Sequence, residues 1–377
     1  MGFVIDVDGH VLEPADLWEK NLAPRFKERA LRIRVDQDGA EYLEIAGRKS
    51  QIVQGGSLGS FGTLDDDIRQ KWDEDKVETG PSYEGHVPPA ARDMNERLGW
   101  MDREKIDVSL MYPSLGLGWQ SECEDTDLAL AYCQVYNDWL NDICKPYASR
   151  IVPIAMVPLA NIEQGLSELK RAADLGARGL YLTPVPMSGI SYGDACYDPI
   201  WRECEDRGMP VAFHISNSPF HAGRQLHETT FGRNTWFLNM MYAVDCQIAL
   251  ASMFQGGVPE RFPGLSIGVL EAGCGWIAHF VDRMDRAYEM TGHHIMKMKP
   301  SSYFARQCWV AGETDEFTFD SMVNLLGAHK FMWASDYPHE EGHADPVRTL
   351  QKTLSHLSET DRDRILGGNA AEAYHIG

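Results

Sequence analysis

Several things are scarce in this chain of 377 residues. It has no CxxC pair: its cysteines, at 123, 133, 144, 196, 204, 246, 274 and 308, are scattered. That spacing argues against a zinc ribbon or a disulfide framework and fits buried thiols in a reducing cytoplasm. It has no apolar run long enough for a bilayer; IVPIAMVPLA from Ile151 is among the longest. The first residues lack a basic stretch followed by an apolar one, so no secretory leader is expected. Positive charge is also short. Lys and Arg number 35 against 56 Asp and Glu, a formal net charge of -21, and no Lys/Arg-rich block stands out. Such a surface repels phosphate backbones and anionic membranes, so neither nucleic acid nor membrane is an expected partner. What remains is a cytoplasmic globular chain, 44% hydrophobic. Its length suits one large α/β domain with insertions, or two small domains.

What is present begins at the N-terminus, MGFVIDVDGHVLEP. The apolar run Phe3-Val4-Ile5 leads straight into Asp6, Asp8 and His10. Asp8 and His10 are two apart, so an extended strand points both to one face. Two ligand-type side chains there read as half of a metal site; a solvated strand end is the plainer alternative.

Residues 15–97 are of mixed character, with a hairpin around Glu41-Tyr-Leu-Glu-Ile-Ala-Gly and no sustained helical period. They read as an insertion that covers something. From about residue 98 helices and strands alternate: helix RLGWMDREKI, strand DVSLMYPS, helix 125–147, strand IVPIAMVP, helix 161–175, strand ARGLYLTP, helix 197–207 and strand PVAFHIS. A helix at 239–255, strand SIGVLEAG, helix 275–291, a weaker strand near FARQCWVA, helix 316–327 and strand KFMWASDYPH follow. Helices near 345–355 and 359–374 close the chain. The strands are near-continuous apolar runs, as in parallel sheets covered on both faces. Eight such units predict an α/β fold, a (β/α)₈ TIM barrel with a long insertion after strand one.

Active-site residues of such barrels sit at the C-terminal ends of the strands. Here strand one ends at Asp8 and His10, strand five at His214, strand six at Glu271 and strand eight at Asp336, with His339 just beyond; strand seven carries Arg306. Asp8, His10, His214 and Asp336 make a mixed N/O donor set for one divalent ion, zinc first and manganese as the alternative. A further position left to water makes such a site catalytic. Glu271 is read as acid/base or as a partner of a ligand imidazole. His339 is read as a proton carrier or substrate donor, and equally as a turn histidine after Pro338. Arg306 is read as a bidentate partner for a substrate carboxylate.

At these residues the chain resembles the amidohydrolase superfamily, in the branch typified by aminocarboxymuconate-semialdehyde decarboxylase. The motifs are DVDGHVLEP, FHIS, WASDYPHEEG and GGNAAEAYHI, spread from one terminus to the other. The resemblance implies a distorted barrel and one divalent ion on Asp8, His10, His214 and Asp336. No carbamylated lysine is expected after strand four, and LTPVP offers none, so the site reads as mononuclear. A homodimer or larger homo-oligomer is the expected assembly. One departure matters: the branch has an acid/base His at the end of strand six, where VLEAGCGW puts Glu271. Two reactions therefore stay open, decarboxylation of a small aromatic or unsaturated carboxylate and hydrolysis of a C–N or C–O bond. A barrel that only binds a small molecule is the third reading. Trp72, Tyr83, His86, Trp119, Phe220 and His221 hint at a ring in the pocket, or at packing and subunit contacts.

Overall fold

The computed structural model describes residues 2–53, 55–62, 82–85, 87–216 and 235–377. Strand β1 (Ile5–His10) is buried along its whole length. After it come three short antiparallel strands, β2 (Arg32–Val35), β3 (Glu41–Ile45) and β4 (Arg48–Lys49). The β3–β4 turn falls on Ala46 and Gly47, both with positive φ, as a two-residue hairpin needs. Then the parallel strands follow: β5 (Val108–Tyr112), β6 (Ile151–Pro153), β7 (Leu180–Leu182), β8 (Val211–His214), β9 (Ile267–Leu270), β10 (Cys308–Glu313) and β11 (Phe331–Ala334).

The parallel strands form a three-stranded sheet, β1-β5-β6, and a five-stranded one, β7 to β11. Backbone bonds join the two at both seams. Ala155 N donates to Gly179 O at 2.9 Å and Tyr181 N to Ala155 O at 2.9 Å, joining β6 to β7. Asp336 N donates to Asp8 O at 3.0 Å and His10 N to Tyr337 O at 2.8 Å, joining β11 to β1. The fold is thus the expected (β/α)₈ barrel, with residues just past β6 and β11 closing the seams onto β7 and β1.

The helices start where side chains cap them. Asp93 accepts from Asn95 N and Glu96 N before Met94–Glu104, Asp125 caps Thr126–Cys144, and Asn161 caps Ile162–Leu175. The first of these begins three residues earlier than the run RLGWMDREKI suggests, because Asp93 supplies the cap. Strand seven differs more. Residues Pro300–Gln307 are helical, with proline in the first turn, and β10 begins only at Cys308. The closing 359–374 segment is helical as expected but passes through a π turn at Arg364–Gly368. No helix among the described residues is long and apolar enough to cross a membrane. All eight cysteines are unpaired, and Cys196 alone is not fully buried.

The described part of segment 15–97 shares the barrel's core. Phe26, Leu31, Leu43, Ile45, Leu58 and Tyr83 belong to the same buried cluster as the barrel strands. One stretch, Leu58–Gly62, reaches the barrel mouth: Glu340 N donates to Ser60 O at 3.2 Å, and the Phe61 ring lies 5.3 Å from that of His339.

Candidate metal centre and active site

β1 carries one more residue than β5 between Asp6 and Gly9, a bulge that re-aims the end of the strand. Gly9 sits where the chain has no room for a side chain. A Cβ there would lie 2.3 Å from Ser109 Oγ and 2.9 Å from Asp6 Oδ2. Asp8 and His10, on either side of it, are wholly buried and face the barrel axis with His214 from β8.

Each imidazole is oriented by a backbone carbonyl. His10 Nδ1 donates to Pro113 O at 2.8 Å and His214 Nδ1 to Ile215 O at 2.7 Å. A carbonyl only accepts, so both rings carry their proton on Nδ1 and turn an Nε2 lone pair inward. Those two Nε2 atoms are 3.2 Å apart. Asp8 Oδ1 lies 3.4 Å from the first and 3.3 Å from the second, and Asp336 Oδ1 lies 3.4 Å from His10 Nε2. Glu271 Oε2 lies 3.2 Å from His214 Nε2. In these neutral tautomers, the form that binds a metal, neither Nε2 carries a proton and none of these contacts is a hydrogen bond. Accordingly both oxygens of Asp8, both of Asp336 and Oε2 of Glu271 are buried without a partner.

Lone pairs packed against lone pairs repel, and unpaired buried carboxylate oxygens are costly. A cation at the centre removes both penalties. Donor atoms sharing one ion at about 2.0–2.2 Å stand roughly 3–3.5 Å from one another, as those of Asp8, His10 and His214 do. The residues present therefore fit a divalent ion held by Asp8, His10 and His214, with Asp336, which approaches the set through His10, as the fourth candidate ligand. The nitrogen and oxygen donors admit zinc or manganese alike.

The electrostatics of the metal-free centre follow from burial. It lowers His10 to a pKa of about 4 and His339 to about 3. It raises Asp336 to about 7 and Glu271 well above the carboxylate range, with neighbouring acids adding to the shift. Burial opposes charge on Asp8 and His214 as well, but without a metal the two favour each other's charged forms, which leaves the carboxyl low and raises the imidazole; an ion would take the place of that shared proton.

Glu271 and Asp336 share a further property. Both have positive φ, 49° and 52°, the left-handed region that costs a non-glycine residue about 1–3 kcal/mol. Two of the three remaining such residues, Lys105 and His375, sit at helix ends, and Ala46 is in the hairpin turn. At the ends of β9 and β11 the bend turns each carboxylate back over the mouth.

His339 stacks on His10 with ring centroids 3.9 Å apart. Its Nδ1 is 3.0 Å from Asp336 Oδ1, and its Nε2 is 2.8 Å from Ser114 Oγ. Its hydrogen bond with Ser114 and its stacking on His10 hold it at the rim.

Arg306 is not at the mouth. It belongs to the last turn of helix Pro300–Gln307, before β10 starts, and so lies at the opposite end of the barrel. There it donates to Pro259 O at 2.5 Å and to Gln307 Oε1. Its expected role toward a substrate carboxylate is withdrawn. Tyr83 is fully buried and donates to Glu13 O at 2.9 Å, which makes it packing. Trp119 is buried edge-on to Tyr132. It also borders a small cavity of about 30 Å³ with Tyr181, Leu182 and Tyr192. Trp72, His86, Phe220 and His221 lie outside the described residues.

Sequence reasoning missed the layer beneath the donor set. Asp6 accepts from Ser335 N at 2.9 Å, Ser335 Oγ at 2.7 Å, Ser109 Oγ at 3.0 Å and Asp8 N at 3.2 Å, tying β1, β5 and β11 together. Arg97 is a wholly buried cation. It donates to Ala90 O at 2.7 Å and to His10 O, with its guanidinium 4.7 Å from the Tyr337 ring. Asp6 stood in the sequence beside the ligands, a usable signal. Arg97, in a helix that reads as amphipathic, gave none.

A profile of the amidohydrolase family matches residues 5–376. The curated 2-amino-3-carboxymuconate-6-semialdehyde decarboxylase of Dictyostelium discoideum is 25% identical over 287 residues, 74% of this chain and 76% of that protein. An amidohydrolase from Mycobacterium avium subsp. paratuberculosis superposes with a TM-score of 0.82, at 23% identity over 99% of both chains. A dihydroxybenzoic acid decarboxylase from a Polaromonas species was solved with bound manganese and the inhibitor 2-nitroresorcinol. It superposes with a TM-score of 0.67, at 18% identity over 100% of this chain and 98% of that one.

Proposed function

The chain belongs to the amidohydrolase family, and we propose that within it this protein is a metal-dependent decarboxylase of a small aromatic or unsaturated carboxylate. The observation that carries the reading is the cluster of unpaired buried carboxylates around two inward-facing imidazoles. The likeness to a semialdehyde decarboxylase and a dihydroxybenzoic acid decarboxylase points to the reaction class.

A divalent ion held by Asp8, His10, His214 and Asp336 supplies Lewis-acid charge for the oxygen atoms of a substrate. The chain's own residues do the rest. Glu271, at the edge of the donor set with Oε2 unpaired, delivers a proton to the carbon that bears the carboxylate. The bond to that carboxylate then breaks, its electron pair returns to the carbon skeleton, and CO₂ leaves. Water restores the proton to Glu271. His339, fixed by Ser114 and by stacking on His10, orients a substrate oxygen at the rim. Segment 15–97 closes the mouth and excludes water, a role supported by the contacts of Ser60 and Phe61 at the rim. A fragment of that segment that folds cooperatively by itself would contradict this.

Hydrolysis is the second reading, favoured by one observation: a carboxylate, not an imidazole, ends β9. Beside metal-bound water a carboxylate is an ordinary general base. The test is to load the protein with zinc or manganese and screen hydroxylated benzoates and unsaturated carboxylates against lactones and amides, in isotopically labelled water. CO₂ release with one solvent hydrogen fixed on carbon is the expected result. Solvent oxygen in the product, without CO₂, would replace the reading by hydrolysis.

A further inference from the structure

Glu13 lies three residues beyond His10, outside the donor set, and is fully buried. Its carboxylate is engaged with one short loop. Ser114 N donates to it at 3.3 and 3.2 Å, Leu115 N at 2.9 Å and Gly116 N at 3.0 Å. A carboxyl oxygen pair held by successive N–H groups is a geometrically exacting anchor, here with burial raising the group to a pKa of about 7 against the lowering effect of those N–H groups.

The anchored loop is the one that orients the imidazoles. Pro113 O takes the Nδ1 proton of His10. Ser114 Oγ meets Nε2 of His339. Gly116 closes the arrangement. A Cβ on it would lie 2.6 Å from Pro113 Cβ, 2.9 Å from Met156 Cε and 3.2 Å from Glu13 Oε1. Carboxylate, loop and rings are therefore in unbroken contact, with no room for a side chain at Gly116. Displacing it would turn His10 Nε2 away from Asp8 and His214.

We propose that Glu13 is a positioning residue of the metal centre: by anchoring residues 113–116 it fixes the ring orientation of His10 and His339. The proposal rests on the reading that His10 is a metal ligand. The rival account is that Glu13 only welds the end of β1 to the end of β5. That account predicts lower stability with an unchanged metal centre.

The two accounts separate in cobalt binding. Protein stripped of metal is reloaded with Co²⁺ against a competing chelator, and both affinity and the visible spectrum are read. Glu13→Gln keeps the shape but sets an amide NH₂ against the loop N–H groups. Loss of a partner that orients a ligand weakens metal binding by about 10–100-fold, and that loss with an altered cobalt spectrum is the expected result. Gly116→Ala disturbs the loop from the other side with Glu13 in place, and should shift both readouts in the same direction. Val323→Ala, buried in helix Phe319–Leu326, is the control for mere destabilisation: lower Tm, with wild-type cobalt affinity and spectrum. Wild-type affinity and spectrum in folded Glu13→Gln and Gly116→Ala would overturn the proposal. If Glu13→Gln does not fold, Gly116→Ala decides. His10→Ala guards the premise. If it loses cobalt while the other two do not, only the role of Glu13 falls. If it binds cobalt like wild type, the metal reading falls as well.

Discussion

The two ends of the barrel bury similar polar groups and treat them in opposite ways. At the end where the strands begin, Lys330 Nζ donates to Ala305 O at 2.5 Å and to Cys308 O at 3.3 Å. The Gln307 amide donates to Phe262 O and Leu265 O, both at 2.8 Å. Asn369 donates to Ala328 O at 2.8 Å and Phe331 O at 2.7 Å. Each of these side chains spends its donors on carbonyls that strand and helix ends leave open. At the mouth, Asp8, Asp336 and Glu271 keep buried oxygens that no donor meets. Burial of a polar residue is thus no mark of function in this molecule. Other buried atoms without a partner, such as Tyr136 OH and Trp201 Nε1, are scattered; what marks the mouth is that those gathered there are carboxylate oxygens around two imidazoles, with backbone strain at Glu271 and Asp336.

The contrast can be broken most severely at the donor set. His214→Ala and Asp336→Ala should each lose the ion and all measurable activity, yet fold, since the first gives up a single hydrogen bond, to Ile215 O, and the second removes a carboxylate that has no hydrogen-bond partner. Elemental analysis and circular dichroism check this; full metal occupancy in either variant would remove that residue from the ligands. Next comes Glu271→Gln, which keeps the shape but cannot give up a proton. Its rate should fall by about 10²–10⁴ with metal retained. Turnover near wild type would show Glu271 to be a neighbour only. The smallest effect belongs to the far end. Asn369→Ala strands two buried carbonyls and should lower stability by about 1–3 kcal/mol, while metal bound per folded chain stays at the wild-type level. Denaturant melts and metal analysis sharpen the comparison: a metal loss there would mean the two ends are not independent.

Much of this was legible in the sequence because it is written in local pattern. Apolar runs ending in Asp8, His214, Glu271 and Asp336 announce strands with loaded C-terminal ends, and one fold rule places those ends at one mouth. Arg306 misled because YFARQCWVA mixes helix and strand residues, and the boundary is set by Pro300, several residues earlier. Glu13 was invisible for a different reason. Its partners are backbone N–H groups 101 to 103 positions away, and an N–H has no letter in a sequence. Arg97 is similar: its acceptors Ala90 O and His10 O are main-chain atoms. Tyr83 looked like a pocket aromatic because sequence cannot say which way a ring faces.

The seam between β11 and β1 has a consequence for synthesis. Asp8 and His10 leave the ribosome long before Asp336, and the bond from Ser335 N to Asp6 Oδ1 spans 329 positions. The early half of the centre must wait, unligated, until that distant stretch has been made. Such late, long-range closure is the slow part of folding. Capture of the ion can therefore come only after the last strand has docked against the first. Cobalt colour in this protein would then serve as a completion signal, absent from every nascent chain that stops short of β11.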